Sequence, residues 1–324
     1  MAPEQVFPIA YGTGKSAHLD VTGARCDAIC LGLLNQLGIV ATEVEPFGLE
    51  GSAGSTPLRI SQEQGPPVFA KLYSRSHLRS DRSYKLVRTL LYGRLEDEKP
   101  FNSVRRLIQH EDYMLRVMRG AGVDTMEPIG IVEITPDREY LLVGEFLEGA
   151  VEITEAEVTT DLIDAGLDAV SAMWRVGVAH RDIKPANVMV QCDRLRLIDV
   201  AFAQVRPSPW RQAVDLANMM LVLALGSTPE LVYERSLRQF SEDEIAEAFA
   251  ASRGLTLPSG LRAEMRRDGR ELLQRFRQLA PEREPVKIQR WSLRRIGLTA
   301  WVAVIAVALV AVLISSLSEI GLLS

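Results

Sequence analysis

The chain has 324 residues, of which 47% are hydrophobic and 24% charged, and carries a formal net charge of −5. It is long enough for one large domain or two moderate ones with a real core, and its charge gives no footing for general nucleic-acid binding, so no nucleic-acid partner is expected. Its three cysteines, Cys26, Cys30 and Cys192, are too few and too scattered for a disulfide framework and point to a reducing compartment.

The N-terminus, MAPEQVFPIA, has no basic region ahead of an apolar run and does not read as a secretory signal. Gly12-Thr13-Gly14-Lys15-Ser16 echoes a P-loop, but that motif needs a glycine where Ile9 stands, and no strand clearly precedes it. Helical periodicity follows around Ala28, Leu31, Leu34 and Leu37. Cys26 and Cys30 share a face there, with too few further ligands for a metal site. Residues 42–73 predict three strands, ATEVEPF, PLRIS and PVFAKLY, separated by glycine-containing turns. Residues 75–120 predict helix, with Val104, Leu107, Tyr113, Leu115 and Met118 on the buried face. Residues 129–134 and 139–144 predict a hairpin. From Thr160 onward the pattern is mostly helical, with short strands near Val188–Val190 and Leu195–Ile198 and helices at about 212–225, 228–239, 242–252 and 259–279.

This order predicts an α+β, two-lobed plan. An N-terminal extension (1–40) precedes a small strand-rich lobe (41–148) and a larger helical lobe (149–280). A basic juxtamembrane segment (281–295) and a transmembrane helix (296–317) complete it. Ile296–Leu317 is uncharged over 22 residues, about 33 Å of helix, enough for a ~30 Å hydrocarbon core. Lys287, Arg290, Arg294 and Arg295 precede it, so the positive-inside rule puts the large domain in the cytoplasm, tethered to the cell membrane by a single pass. Residues 259–295 hold eleven Lys/Arg against five Asp/Glu, a net +6 that suits anionic headgroups.

The segment HRDIKPANVMV, His180 to Val190, followed by LRLIDVA, Leu195 to Ala201, is similar to the catalytic loop and metal-binding motif of eukaryotic-type Ser/Thr protein kinases. Asp199 stands twelve residues after Asn187, at the place of the Asp in that family's Asp-Phe-Gly. The resemblance implies a two-lobed protein-kinase-like fold and an ATP-dependent phosphotransferase, with Asp182 taking the acceptor hydroxyl's proton and Lys184 steadying the transferred phosphoryl. Asn187 and Asp199 are implied as ligands of Mg²⁺, with Mn²⁺ as an alternative, because hard oxygen donors suit these ions. His180 is read as structural, and Arg181 as contacting Asp199 or the segment after it.

In the small lobe, Val68-Phe69-Ala70-Lys71 resembles the strand whose lysine grips the nucleotide's α- and β-phosphates. Its carboxylate partner is read as Glu111, with Glu96 and Glu98 as rivals. Gly48, Gly51 and Gly54 lie where a phosphate-covering loop belongs, in a G-x-x-G-x-x-G spacing that departs from G-x-G-x-x-G. Glu145-Phe146-Leu147 is read as the connector facing adenine, with Glu145 and Leu147 as its cofactor-binding positions.

Three departures matter. Val200-Ala201 replaces Phe-Gly, only sixteen residues separate Asp199 from Asp215, and no Ala-Pro-Glu appears. Asp215, in QAVDLANMM, resembles the residue that braces the catalytic loop. The shortening resembles atypical kinases such as the RIO and bacterial lipopolysaccharide kinases. The expected acceptor is a Ser/Thr hydroxyl on protein at the membrane, with an envelope lipid or sugar hydroxyl as the second reading and a nucleotide-binding pseudokinase or signalling scaffold as the third.

Overall fold

The computed structural model describes residues 18–48, 54–79, 101–134, 138–252 and 256–284, together with 297–298, 300–302, 304–305 and 307–309. The first helix, α1 (Ala24–Leu37), ends at Gly38, whose φ of 70° closes the helix by returning its N–H to Leu33 and Leu34. β1 (Ala41–Pro46), β2 (Thr56–Gln62) and β3 (Val68–Tyr73) follow. Next come α2 (Val104–Gly120), β4 (Pro128–Ile134) and β5 (Glu139–Glu145). The five strands form one antiparallel sheet in the order β1-β2-β3-β5-β4.

Period-2 alternation gives this sheet two buried faces. On β5, Leu141 and Val143 join Leu58, Ile60, Ala70 and Leu72 beneath Ile29 and Leu33 of α1. Tyr140 and Leu142 point the other way, toward Leu107, Ile108, Met114, Leu115 and Met118 of α2 and the helical core beyond. The sheet is thus sandwiched between α1 and α2. The buried face of α1 differs from the sequence expectation: Leu31 and Leu34 are exposed, and Ile29 and Leu33 face the strands. Both sets fit a helical repeat, and contact with the sheet selects between them.

The second half begins with β6 (Val151–Glu152) and α3 (Thr160–Arg175), followed by β7 (Val178–Ala179), β8 (Val188–Gln191), β9 (Arg194–Leu197) and β10 (Gln204–Val205). Its helices are α4 (Pro209–Leu225), α5 (Pro229–Ser236), α6 (Glu242–Ala251), α7 (Ser259–Asp268) and α8 (Leu272–Leu279). From Ala213 to Ala224, α4 is buried on every side and serves as the axis of this lobe. Gly166 of α3 lets the two helices close: a Cβ there would lie 3.1 Å from Met219 Sδ and 3.2 Å from Leu223 Cδ1. The single helix expected over 259–279 is two, because Gly269 at φ 74° and Glu271 at φ 50° turn the chain.

One element of the expected plan changes here. The α+β plan stands, but the transmembrane helix expected at Ile296–Leu317 is overturned. Among the described residues no helix is long and apolar enough to cross a membrane. Most of the Ile296–Leu317 run lies outside the described residues, as do 285–295. Several basic residues of 259–284 pair with acidic or carbonyl groups of the helical half. Arg267 pairs with Glu264, Arg270 with Asp268, Arg275 with Glu230 and Arg283 with Glu247, while Arg277 donates to the Ser252 carbonyl.

α8 is held by Phe276, fully buried and stacked on Phe249 with ring centroids 4.7 Å apart. Phe276→Ala is therefore expected to cost about 3–5 kcal/mol of stability. Urea unfolding measures it, and a loss below about 1 kcal/mol would show that α8 contributes little to this core.

Candidate active site

One ammonium group lies between carboxylates of the two halves. β3 runs antiparallel between β2 and β5, and its alternation sends Val68, Ala70 and Leu72 to the α1 side and Lys71 and Tyr73 to the α2 side. Lys71 Nζ lies 2.7 Å from Glu111 Oε1 and 2.8 Å from Asp199 Oδ1. Glu111 sits on the buried face of α2 with a side chain only 2% exposed, and its other oxygen accepts from the Tyr73 hydroxyl. Glu96 and Glu98, its rivals in the sequence, lie outside the described residues. Tyr73 was not singled out from sequence. Its signal was the strand period, since residues i and i+2 share a face and Tyr73 follows Lys71 by two.

The electrostatics follow from burial. Desolvation alone lowers the Lys71 pKa, but the carboxylates of Asp199 and Glu111 outweigh it and hold the ammonium well above the usual lysine range. Burial raises Asp199, yet Lys71 beside it wins and holds its carboxyl below the ordinary value. Burial, with Glu111 adding to it, pushes the Tyr73 hydroxyl well up, so it remains a donor at neutral pH.

The loop after β7 carries the second constellation. Lys184 Nζ is 2.8 Å from Asp182 Oδ2. Asn187 Nδ2 donates to Asp182 at its carbonyl (2.8 Å) and its Oδ2 (3.0 Å). Burial pushes the Asp182 carboxyl up while the neighbouring Lys184 pulls it down. His180 is fully buried, which lowers its pKa and keeps the imidazole neutral. Its Nε2 lies 3.1 Å from the Ile198 carbonyl. A carbonyl only accepts, so Nε2 carries the proton, and His180 fixes the backbone one residue before Asp199.

Asp215, buried on α4, receives the N–H of His180 and, at 2.9 Å, that of Arg181. Burial pushes its carboxyl up to about 7, against the amide donations of Arg181 and His180. These bonds hold Arg181 at φ 69°, a left-handed conformation unfavourable for a residue with a Cβ, and Asp199 sits at φ 59°. Two such residues at the centre of one site mark backbone held in place by its surroundings. The Arg181 side chain reaches Gln204 Oε1 at 2.8 Å, in the segment after Asp199. From there the chain passes through β10, paired with β7, and enters α4 at Pro209.

The other sequence candidates are placed as follows. Gly48 lies at the end of β1 with φ 61° and Gly54 just before β2, while Gly51 lies outside the described residues. Glu145 donates its N–H to the Glu127 carbonyl at 2.9 Å and pairs its carboxylate with Arg196 at 2.8 Å, so its side chain serves the back of the connector. The Leu147 carbonyl accepts from Ala150 at 3.2 Å.

The donor set fits a magnesium–nucleotide complex. The Asn187 amide commits its NH₂ to Asp182, which leaves Oδ1 as its acceptor for a cation, and Asp199 supplies carboxylate oxygen. Among the described residues no group of three or more His, Cys, Asp and Glu side chains forms a metal cage. A cation held here would draw its remaining ligands from phosphate and water, the usual habit of Mg²⁺.

Replacing Lys71 by Met strands two carboxylates. Removing one partner of a buried pair costs about 3–5 kcal/mol, and the lower figure applies because Asp199 remains 35% exposed. The depressed Asp199 carboxyl contributes stability that is present above its unfolded value, near pH 4, and lost as pH falls through the folded one. Denaturant titrations of wild type and Lys71→Met should differ by about 3 kcal/mol at pH 7, and the difference should shrink below about pH 4. A pH-independent difference would remove Asp199 from the pair.

No protein-family model matches the chain, and no curated protein matches it, so the reading of this site stands on its residues and their geometry.

Proposed function

We propose that this protein is a phosphotransferase that moves the γ-phosphate of Mg·ATP to a hydroxyl, with a protein Ser/Thr hydroxyl as the first acceptor class. The observation that carries the reading is Lys71 bridging Glu111 of the strand-rich half and Asp199 of the helical half, with Asp182, Lys184 and Asn187 on one adjoining loop. Phosphoryl transfer asks the protein mainly for positioning and charge stabilisation, and this arrangement has a group for each task.

In this reading Lys71 grips the α- and β-phosphates and Glu111 holds its ammonium in place. The glycines around Gly48 and Gly54 let backbone N–H groups approach the phosphates. Asp182 accepts the proton of the attacking hydroxyl, and Lys184 faces the charge spreading over the transferred group. Asn187 and Asp199 hold Mg²⁺ or Mn²⁺, which neutralises phosphate charge when bound. The backbone near Leu147 faces adenine.

A second acceptor class has its own support. Between Asp199 and α4 the chain spends only Val200–Ser208, which form a short 3₁₀ turn and the two-residue β10. So short a segment leaves little platform for an extended peptide and favours a lipid or sugar hydroxyl. A pseudokinase is the reading left if nucleotide binds without turnover.

Thermal unfolding with and without Mg·ATP tests binding first, because a ligand that binds only the folded state raises the midpoint. The shift should require Mg²⁺ and vanish in Asp199→Ala. Asp182→Asn should keep the shift and lose turnover by about 10²–10⁴-fold, the usual contribution of a positioned base. Full activity in Asp182→Asn would remove it from the role of base. No shift at millimolar nucleotide in folded protein would sink the phosphotransferase reading.

A further inference from the structure

Behind the connector lies a charge network that the catalytic reading does not use. On β9, alternation sends Leu195 and Leu197 into the core and Arg194 and Arg196 to the opposite face. Arg196, 11% exposed, places Nε 3.2 Å from Asp124 Oδ1 and Nη1 2.8 Å from Glu145 Oε2. Asp124 also pairs with Arg194 at 2.7 Å. Asp124 belongs to the loop between α2 and β4, and Glu145 ends β5, so one guanidinium joins three segments.

Backbone bonds run alongside. Leu197 donates to the Asp124 carbonyl at 2.9 Å, and Thr125 bridges Leu197 in parallel. One residue on, Ile198 donates to the Asn187 carbonyl at 3.0 Å and accepts from His180. Asp199 follows at once. A single stretch, Arg196–Asp199, therefore touches the connector at one end and the candidate metal ligands at the other.

Packing alone does not call for an arginine here. Burying a guanidinium is costly unless paired charge offsets it, and here Nε and Nη1 meet the two carboxylates as ion pairs rather than as aligned hydrogen bonds. Its planar fork can serve two carboxylates lying in different directions, which the single point charge of a lysine does poorly.

We infer that Arg196 is a positioning residue for the nucleotide: it sets the connector Glu145–Leu147 at a fixed offset from Asp199, so that the adenine and phosphate anchors share one reference. This rests on the phosphotransferase reading.

The test measures Mg·ATP affinity by calorimetry and the kcat and KM of ATP turnover on the full chain, for wild type, Arg196→Met, Arg196→Lys and Glu145→Gln. Arg196→Met should raise Kd and KM for ATP roughly tenfold with kcat little changed, because misplacing an anchor weakens binding before chemistry. Arg196→Lys should recover part of the loss. Glu145→Gln should shift KM in the same direction, and the double variant Arg196→Met/Glu145→Gln should be no worse than Arg196→Met, since both remove one contact. Unchanged affinity in folded Arg196→Met, or additive effects in the double variant, would overturn the inference while leaving wild-type transfer intact. If Arg196→Met does not fold, Glu145→Gln decides by its KM, and an unchanged value overturns the proposal. A wild type that binds no nucleotide overturns the phosphotransferase reading and this inference with it.

Discussion

Everything at the centre of this molecule depends on keeping one ammonium group charged in a place where water barely reaches it. Lys71 is 12% exposed, and carrying a charge there costs several kcal/mol before any partner is counted. Two carboxylates from opposite halves repay that cost, one rooted in a helix and one at the end of a strand. Glu111 is itself expensive to bury, and Asp199, though more open, is held in its charged form by the same ammonium. The interaction thereby fixes where α2 stands over the sheet and where β9 delivers Asp199. The Tyr73 hydroxyl takes the remaining oxygen of Glu111, so the carboxylate has little freedom to turn away.

A second set of bonds does for the loop what the ion triad does for the halves. Asp215 accepts two successive backbone N–H groups, His180 binds the carbonyl before Asp199, and Asn187 ties down Asp182. Left-handed conformations at Arg181 and Asp199 are unfavourable for residues with a Cβ, and they persist because these contacts over-determine them. Polar groups converging in this way leave the loop one arrangement. That is the property wanted where catalysis depends on position more than on covalent chemistry.

The chain also shows how a short segment after Asp199 is accommodated. A two-residue strand and a 3₁₀ turn suffice because β7 is available for pairing and Pro209 starts α4 directly. His110 of α2 reaches over to the Ala203 carbonyl at 2.8 Å, so the helix that carries Glu111 also touches the segment that follows Asp199. The two halves are thus joined at the front by Lys71 and His110 and at the back by Arg196.

Much of this was legible in the sequence because it is local. Alternation at Val68–Tyr73 determined a strand with Lys71 on one face, and the run from His180 to Asn187 determined a loop dense in polar groups. Glycine and proline placed most turns. The sequence also made Glu111 a candidate partner 40 residues from Lys71. Side-chain contact across that distance decided it, since period and composition carry no information about which carboxylate a folded chain brings within 3 Å. For the same reason the apolar stripe of α1 was ambiguous until the sheet selected Ile29 and Leu33. The 259–279 pattern hid a break that the positive φ of Gly269 and Glu271 makes plain. Arg196 looked like any strand arginine, and its meaning came from two carboxylates that lie 72 and 51 residues away in sequence. Local periodicity and motif spacing are properties of the chain itself, whereas the pairing of buried charges is a property of the folded space around them, and only the tertiary structure decided it.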